Sequence, residues 1–464
     1  MLFESFNTID WVLFGALLAL FLGQVGYYIC TMYDVRSKKD GVQSTEYRVQ
    51  STENRELTTH DSLLNTKEGC PGVSVLVCAH NEAYNLSAYL YALLSQDYPK
   101  YEVIVVDDGS EDKTREVIES YMVQDKRLRL TFVPKEARVR STKKLALTLA
   151  AKAAQYDYLL LTDADCTPAS THWITEMMKG FKPCTENRVQ STEYREPSTE
   201  NRVQSTEYKV QSTENRVQRT KHSLLTTQYS LLNTDYSLLN TKEIVLGFGA
   251  YFYEKGFVNR LVRYDTLFNG LHYLSAAAHG HPYMGVGRNL AYKKELFFKT
   301  GGFKKMMNNR AGDDDLFVNH VATGKNTAVV CSRESITWSP AKTTLRDWWQ
   351  QKRRHLSVSH DYRLGTKIRL ALEPMSRGLF YALVLGLLVT FANQPVIGTP
   401  LFLLAVLALG LFFLRWVVQT IVINLSAKRM GLHGFNMFTI LGMDIFLPLV
   451  SLYMLSVPKK QVKW

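Results

Sequence analysis

Carboxylates recur in short clusters along this chain, at positions where they could hold a ligand. Asp107 and Asp108 precede a glycine and a serine, Asp163 and Asp165 flank one alanine, and Glu82 follows a histidine and an asparagine. Each cluster alone is also typical of a turn or a helix N-terminus. Together in one crevice they would repel one another unless a cation offset their charge. Hard oxygen ligands suit Mg²⁺ or Mn²⁺, so the pattern indicates a divalent metal that bridges a diphosphate.

Each of these clusters follows a short apolar segment that is typical of a buried strand. The segments at 73–78, 101–106, 128–133 and 158–161 are rich in Val, Ile and Leu. Helical segments at 86–94, 113–123 and 143–154 lie between them. This alternation predicts a parallel sheet, whose ligands bind at the carboxyl ends of the strands. The segments at 243–251 and 285–292 are also strand-like and carry glycines that permit close approach of a ligand.

Seven motifs give the chain a family resemblance. They are VSVLVCAHNEA at 73–83, VVDDGS at 105–110, KKLAL at 143–147, TDADC at 162–166, GVGRNLAYKK at 285–294, GDDDLF at 312–317 and QKRRH at 351–355. With them the chain resembles family 2 glycosyltransferases, in the membrane-embedded branch that contains cellulose, hyaluronan and poly-N-acetylglucosamine synthases. The resemblance covers 71–183 and 244–360. It implies an α/β fold of the GT-A type, with a Rossmann-like, mainly parallel sheet and transmembrane helices.

The resemblance also implies which residues bind the donor, a nucleotide-diphosphate sugar of the UDP class. Glu82 and Asp108 would hold the uridine and ribose, and Lys144 (or Lys143) would face the donor. Asp163 would hold the diphosphate, and Asp165 would bind Mg²⁺ or Mn²⁺. The full expected donor set is Ala79, Glu82, Asp108, Lys144, Asp163, Gln351 and Arg354.

The family's catalytic Glu-Asp motif corresponds here to Asp313 and Asp314. The resemblance assigns the general base to Asp314, with a register uncertain by one residue. A carboxylate that accepts the proton of a sugar hydroxyl promotes its attack on the anomeric carbon. Without a carboxylate nucleophile, this single displacement would invert the anomeric centre. The alternative is that residues 313–315 form a solvated acidic loop.

Gln351, Arg354 and His355 match the family's Gln-x-x-Arg-Trp motif, with histidine in place of tryptophan. Arg354 can stabilise the departing diphosphate, because guanidinium binds phosphate oxygens in a bidentate way. The expected acceptor-binding residues are Gly287, Asn289 and His355. The missing indole removes an apolar face for stacking on sugars, which puts a processive polymer product in doubt. The alternative is a juxtamembrane basic patch.

Apolar segments at both ends predict membrane helices. Residues 8–33 read as a transmembrane helix, because acidic Glu4 and Asp10 argue against a cleaved signal peptide. Residues 376–458 offer candidates at 378–392, 401–425 and 438–457, predicted as two to three helices. Lysines and arginines after the first span place the catalytic domain in the cytoplasm, at a bacterial-type inner membrane that the chain crosses several times. The lysines after residue 458 disagree with four crossings, so the number of crossings stays open.

Two segments consist of seven-residue repeats. VQSTE recurs within 40–69 and 185–243, and SLLNTKE occurs in both. The units lack the two apolar positions per heptad that a coiled coil requires. We therefore interpret both segments as disordered insertions, of which the second interrupts a catalytic domain at 71–360.

The formal net charge of +12 raises the question of nucleic-acid binding. Residues 341–370 contain eight Lys and Arg against two Asp, so half of the excess precedes the last membrane segments. This position suits an anionic lipid surface or a diphosphate, and no nucleic-acid-binding motif is present. We expect a lipid bilayer, a nucleotide sugar and a saccharide or lipid-linked acceptor as partners. The function expected is polysaccharide synthesis; transfer of a single sugar to a lipid carrier and a non-catalytic nucleotide-sugar sensor are the alternatives.

Overall fold

The computed structural model describes residues 6–35, 70–134, 142–181, 242–307 and 312–456. The first repeat segment, 40–69, lies outside the described residues. So does 185–243, except for Lys242 and Glu243. The interpretation of the repeats as disordered therefore stays a prediction.

The first half of the catalytic region alternates strands and helices, as the apolar segments predict. After helix α1 (Thr8–Val35), the chain forms β1 (Val73–Ala79), α2 (Ala83–Leu94), β2 (Tyr101–Asp107), α3 (Thr114–Gln124), β3 (Leu128–Phe132), α4 (Thr142–Ala153) and β4 (Tyr158–Asp163). The four strands pair in parallel in the order β3-β2-β1-β4. The central residues of β1, β2 and β4 are fully buried because helices cover both faces, whereas the edge strand β3 is only partly buried.

The second half completes a seven-stranded mixed sheet. It contains β5 (Thr167–Pro168), α5 (Trp173–Lys179), β6 (Ile244–Leu246), β7 (Gly249–Tyr251), α6 (Phe257–Ala278), β8 (Leu290–Lys293), α7 (Lys294–Lys299), α8 (Asp315–Val321), β9 (Thr327–Val329), β10 (Thr337–Ser339) and α9 (Leu345–Val358). The main sheet continues from β4 as β8-β6-β9, with β8 antiparallel to both neighbours. The small sheet has the order β5-β10-β7. The mainly parallel α/β fold expected from the sequence is confirmed.

The segment 243–251 does not form one strand, as its apolar pattern suggested, but two strands in different sheets. The chain turns at Gly247, where a Cβ would lie 2.5 Å from the side chain of Asn289. Only glycine permits this approach, and it directs β6 into the main sheet and β7 into the small one. The strand predicted at 285–292 is also shorter, since only 290–293 pair.

Two apolar cores lie on opposite faces of the main sheet. One contains Leu86 and Leu90 of α2, Ile118 of α3 and Trp173 of α5. The other contains Ala146 and Ala150 of α4 and the buried side of α6. The sheet is therefore a rigid middle layer, and the loops at its carboxyl edge are free to carry functional residues.

Four helices are long and apolar enough to cross a membrane. They are α1, α10 (Leu364–Asn393), α11 (Pro400–Arg429) and α12 (Met437–Ser456). The short segment predicted at 378–392 is part of a helix of 30 residues, because the helix begins at Leu364 and continues through Pro374. In the part of the chain that the structure describes, the C-terminal region thus holds three of these four helices.

A network of polar side chains joins the four helices. Asp444 of α12 accepts hydrogen bonds from Arg377 (2.6 Å), Arg415 (2.9 Å), Gln419 (2.8 Å) and Tyr381. Arg415 also donates to Gln24 (3.1 Å) and Tyr28 (2.9 Å) of α1. Arg377 pairs with Glu373 at 2.9 Å. The positive charges of two guanidinium groups balance the negative charges of two carboxylates. This pairing lowers the free-energy cost of burying them between apolar helices.

The first prediction concerns Asp444, which bridges both arginines. Asp444→Asn keeps the shape but leaves two buried guanidinium groups against a single remaining carboxylate. Breaking a buried pair from one side typically costs about 3–5 kcal/mol. We expect a marked fall in the thermal midpoint of the purified protein in detergent, measured by intrinsic fluorescence.

Asp157→Asn is the matched control, because Asp157 is exposed and follows α4 far from the four helices. It should leave the midpoint unchanged. An equal midpoint for Asp444→Asn and wild type would show that the network does not stabilise the helix bundle.

The second prediction concerns the long repeat segment. The described residues that flank it lie close together, because Gly180 packs directly against Val245. Lys242 and Glu243 belong to the fold, since Lys242 donates to the carbonyl of Lys325 at 2.8 Å and Glu243 to that of Asn326 at 2.8 Å. Replacing 185–241 with a short Gly/Ser linker should therefore leave the thermal midpoint within a few degrees of wild type, because loop length alone has a small entropic effect. Failure of this variant to fold would show that the repeats pack on the core.

Candidate active site

The residues singled out at 79–82 and 107–110 lie at the carboxyl edge of β1 and β2. Ala79 is buried, and its carbonyl accepts a hydrogen bond from the Asp108 amide at 2.8 Å. Asn81 takes a positive φ of 58°, and its side chain accepts from the Glu111 amide at 2.8 Å. The two loops are thus fastened to each other, which fixes the floor of a crevice.

Glu82 and Asp108, the two residues expected to contact the nucleoside, are both half-buried at this edge. Burial raises the pKa of Glu82, which Asn85 partly offsets by donating a hydrogen bond at 2.5 Å. Burial also raises the pKa of Asp108, although a hydrogen bond from Thr142 and the nearby His80 act to lower that pKa. Carboxylates held at this edge can accept hydrogen bonds from hydroxyl groups.

Asp163, Asp165 and Cys166 form a compact group after β4. Their ligand atoms lie within 4.8 Å of one another. Burial and the neighbouring Asp163 raise the pKa of Asp165. Burial also raises the pKa of the Cys166 thiol well above its ordinary value. The two carboxylates therefore supply hard oxygen ligands that fit Mg²⁺ or Mn²⁺.

Lys143, rather than Lys144, is the lysine that contacts the acidic groups. Its Nζ lies 2.9 Å from Asp163 and 3.4 Å from Asp313. Burial would lower the pKa of Lys143, but the two carboxylates outweigh it and hold that pKa well above its ordinary value. Lys144 is fully buried, and burial lowers its pKa despite the charges of Asp313 and Asp314. The geometry therefore favours Lys143, the alternative, over Lys144, because successive helix residues project about 100° apart; which lysine faces the donor stays a prediction.

Asp313 and Asp314 lie beside this lysine, and each has a distinct role in the geometry. Burial would raise the pKa of Asp313, but Lys143 and Lys144 outweigh it and lower that pKa. Asp314 accepts hydrogen bonds from the amides of Gly287 (2.6 Å) and Asp315 (2.8 Å), which also caps α8. Burial and the charge of Asp313 raise the pKa of Asp314 to about 6. One carboxylate is thus a fixed anion, and its neighbour is poised to exchange a proton near neutral pH.

The solvated acidic loop considered as an alternative does not describe these three aspartates. Asp315 is buried, and its pKa is raised well above the ordinary value by burial and by both preceding aspartates. The side chain of Asp313 is only 13% exposed. The cluster is part of the walls of the crevice.

Gly287 is near Asp314, whereas the side chain of Asn289 points into the core. A Cβ at position 287 would lie 3.3 Å from the carboxylate of Asp314. Asn289 is fully buried and donates to the carbonyls of Phe248 (2.9 Å) and Ser335 (2.7 Å), while accepting from Trp173 (3.1 Å). These hydrogen bonds hold its amide in the core, so the structure gives no support to the predicted contact between Asn289 and an acceptor.

Arg288, between these two residues, is a site residue that the sequence reasoning missed. Its guanidinium lies over the Tyr251 ring at 4.3 Å and donates to Ser339 at 2.6 Å. Burial would lower the pKa of Arg288, but Tyr251, Cys166 and Asp165 outweigh it and raise that pKa. A positive charge beside the acidic group can bind phosphate oxygens. The motif GVGRN contained this arginine, but its partners Tyr251, Ser339 and Gly249 are remote from it in sequence.

Gln351, Arg354 and His355 lie on α9, which packs beside the crevice. Gln351 donates to the hydroxyl of Tyr251 at 2.9 Å, and so reaches the ring that Arg288 covers. Lys352 of the same helix pairs with Asp265 of α6 at 2.7 Å, which fixes the helix. Arg354 and His355 are exposed. Nearby protein groups and the positive charge of Arg354 lower the pKa of His355.

Together these elements line a shallow, open recess, whose walls include Cys78, Lys143, Asp163, Gly287 and Asp313. Thr162 also lines it, with a buried hydroxyl that has no hydrogen-bond partner among the described residues. The recess brings one carboxylate of each acidic cluster, Asp163 and Asp313, together with Lys143, while Asp165 and Asp314 belong to the same two clusters. Such an arrangement can bind an anionic, metal-bridged group and accept a proton beside it.

Two protein families match this chain in sequence. The sequence model of glycosyl transferase family 2 matches residues 74–242, and the sequence model of glycosyl transferase family group 2 matches residues 220–418.

Relatives match over a shorter region. A poly-beta-1,6-N-acetyl-D-glucosamine synthase of Staphylococcus epidermidis is 36% identical over 94 residues, which is 20% of this chain and 22% of the relative. An uncharacterized glycosyltransferase of Haemophilus influenzae is 32% identical over 95 residues, or 20% and 36% of the two chains. Glycosyltransferase AglE of Haloferax volcanii is 33% identical over 100 residues, or 21% and 32%. The chain thus spans about a fifth to a third of the length of these relatives.

A solved structure, the mannosyltransferase PcManGT of Pyrobaculum calidifontis in complex with GDP-Man and Mn²⁺, is 17% identical. The alignment covers 94% of this chain and 99% of that one, with a TM-score of 0.47. The two matched family segments run together from residue 74 to residue 418, across the sheet, the crevice and α9. The chain belongs to glycosyltransferase family 2, with a GT-A-type fold and helices that could span a membrane.

Proposed function

We propose that this glycosyltransferase moves a sugar from a nucleotide-diphosphate sugar, of the UDP class, to a saccharide acceptor with inversion of the anomeric centre. The observation that carries the proposal is Lys143, whose Nζ lies within 3.4 Å of both Asp163 and Asp313. One ammonium group thus connects two kinds of carboxylate. Asp163 belongs to the pair that would hold a cation for the diphosphate, and Asp313 is the neighbour of the proposed base. The reacting atoms of a donor and an acceptor would meet between them.

The donor half of the site consists of Asp163, Asp165, Lys143 and Arg288. The carboxylates would hold Mg²⁺ or Mn²⁺, and their oxygens within 4.8 Å of one another fit such an ion. When bound, the ion would neutralise charge on the diphosphate leaving group. Arg288 and the exposed Arg354 would bind the remaining phosphate oxygens. Glu82 and Asp108 would accept hydrogen bonds from the hydroxyl and imide groups of the nucleoside.

The acceptor half consists of Asp314, with Asp313 as its neighbour. The acceptor hydroxyl would give its proton to the Asp314 carboxylate while its oxygen bonds to the anomeric carbon, and the bond from that carbon to the nucleotide diphosphate would break. The amides of Gly287 and Asp315 fix the orientation of this carboxylate. Its pKa of about 6 lets it be ionised at pH 7 and still accept a proton.

The membrane arrangement supports a cytoplasmic site at a bacterial-type inner membrane, with a product destined for the cell surface. Four apolar helices flank the catalytic region, and basic residues precede the last three. Because His355 replaces the tryptophan of the polymer synthases, the acceptor would lack one broad stacking surface. Gly287 and His355 remain as acceptor contacts in this proposal.

The third prediction concerns the metal. Release of nucleotide diphosphate from a hydrolysable donor should stop in excess EDTA, because the carboxylates would then face the diphosphate without a bridging cation. Adding Mn²⁺ or Mg²⁺ beyond the chelator should restore it. Undiminished release in EDTA would contradict metal bridging of the donor.

The fourth prediction separates the base from the donor site. Asp314→Asn keeps a good N-cap for α8 but removes the basicity. Turnover should fall by about 10²–10⁴, with donor affinity nearly unchanged. Asp165→Asn should instead weaken donor binding first. Both variants are measured for turnover and, by calorimetry, for binding of the nucleotide diphosphate with Mn²⁺.

The pH dependence provides the control for this assignment. A base must be deprotonated, so kcat/KM should fall about tenfold per pH unit below pH 6 and level off above it. The residual activity of Asp314→Asn should lack that acidic limb. If Asp313→Asn abolishes turnover while Asp314→Asn retains it, the base is Asp313.

A further inference from the structure

A second recess lies away from the acidic crevice, between α6, the small sheet and the turn that joins α11 to α12. It is a narrow groove that opens to solvent. Its walls include the aromatic rings of Tyr251, Trp338 and Phe435, together with Arg263 and His433. None of these residues belongs to the donor or base groups, although Tyr251 contacts Arg288 and Gln351.

Arg263 is the unusual member of this recess, because it is a buried cation without an anion. The residue is 8% exposed. Among the described residues no carboxylate pairs with it, and its guanidinium makes one hydrogen bond, from Nη2 to the carbonyl of His433 at 2.7 Å. The rings of Tyr253 and Phe435 lie against it at 4.8 and 5.2 Å. A guanidinium carries five N–H donors, so most of its binding capacity toward an anion is unused.

The charges around Arg263 increase this imbalance. Arg260, one turn earlier on α6, is positive and exposed, and it acts electrostatically on Arg263. Lys255 is exposed in the preceding loop, and Glu254 beside it is exposed as well. Uncompensated burial of charge is costly, and buried cations are therefore normally paired. Arg263 therefore keeps N–H donors that are available to an anion from outside the chain.

The surroundings of the recess indicate where that anion would come from. The turn at 430–436 connects Pro400–Arg429 to the apolar helix that follows, and both could cross a membrane. A turn between two spanning helices lies at the membrane surface. Tyr253, Phe257 and Phe438 near its mouth are 52%, 55% and 77% exposed. Exposed aromatic side chains beside arginine and lysine are typical of a membrane interface.

We propose that the Arg263 recess binds the phosphate group of an anionic membrane lipid. The guanidinium would hold two phosphate oxygens, as Arg does in bidentate phosphate sites, and the aromatic walls would pack against the glycerol and upper chains. Tyr251 would link this lipid site to the donor site, because its ring also contacts Arg288 and its hydroxyl accepts from Gln351. The proposal concerns binding alone and stands independently of the donor, the acceptor and the base.

The test uses the full chain purified in a neutral detergent, titrated calorimetrically with short-chain lipids. Dihexanoyl phosphatidic acid should bind saturably. Dihexanoyl phosphatidylcholine and inorganic phosphate should each bind with an affinity at least tenfold lower than that of the phosphatidic acid. Arg263→Gln should weaken binding of the phosphatidic acid at least tenfold, and Arg263→Lys should recover part of it. Arg115→Gln is the matched control, because Arg115 is exposed on α3 and pairs with Glu119; it should bind as wild type.

A second variant keeps the test decisive if Arg263→Gln does not fold. Leu432→Trp enlarges a half-exposed residue in the wall of the recess and keeps the guanidinium. It should reduce phosphatidic acid binding at least tenfold, with an unchanged thermal midpoint. Wild-type affinity in a folded Arg263→Gln or Leu432→Trp variant would overturn the proposal. Equal affinity for inorganic phosphate would overturn the lipid as the source of the anion.

Discussion

The active crevice depends on one constraint, which is that like charges can be gathered at a sheet edge only when something opposes their repulsion. Asp163 and Asp165 follow β4, while Asp313 and Asp314 precede α8 on a separate part of the chain. Lys143 lies between the two pairs and contacts one member of each. Its charge lowers the pKa of Asp313, while burial and the charge of Asp313 raise the pKa of Asp314 to about 6. The contrast between the two neighbouring carboxylates thus follows from burial together with the position of this ammonium group.

The sheet supplies the rigidity that this arrangement requires. Strands β1, β2 and β4 are buried on both faces, and their ends fix the loops that bear Glu82, Asp108 and Asp163. Asn289 contributes from within the core, because its amide ties the chain before β8 to Phe248 and Ser335. Gly287, two residues earlier, is thereby held where its amide can bind Asp314. Positioning here is a matter of packing and hydrogen bonds within the chain.

Much of this fold could be predicted from the sequence, and the exceptions have physical causes. Apolar β-branched segments that end in acidic residues identify β1, β2 and β4 and the edge where ligands bind. The pattern cannot show that 243–251 divides between two sheets, since that depends on the side chain of Asn289 against Gly247. It also cannot choose between Lys143 and Lys144, because both lie in the first turn of α4 and only the phase of the helix decides which one points toward the carboxylates. Arg288 escaped notice since its partners, Tyr251 and the Asp165 group, are remote in sequence.

The measurement that tests the central claim most directly locates the cation relative to the two aspartate pairs. Anomalous scattering from Mn²⁺ in a crystal of the protein with a nucleoside diphosphate would give its position. We expect the ion bound to Asp165 and the phosphates at about 2.0–2.3 Å, with Lys143 between Asp163 and Asp313 and the Asp314 carboxylate free of the metal. A manganese ion bound to Asp314 would contradict the account, because the residue could not then serve as the base.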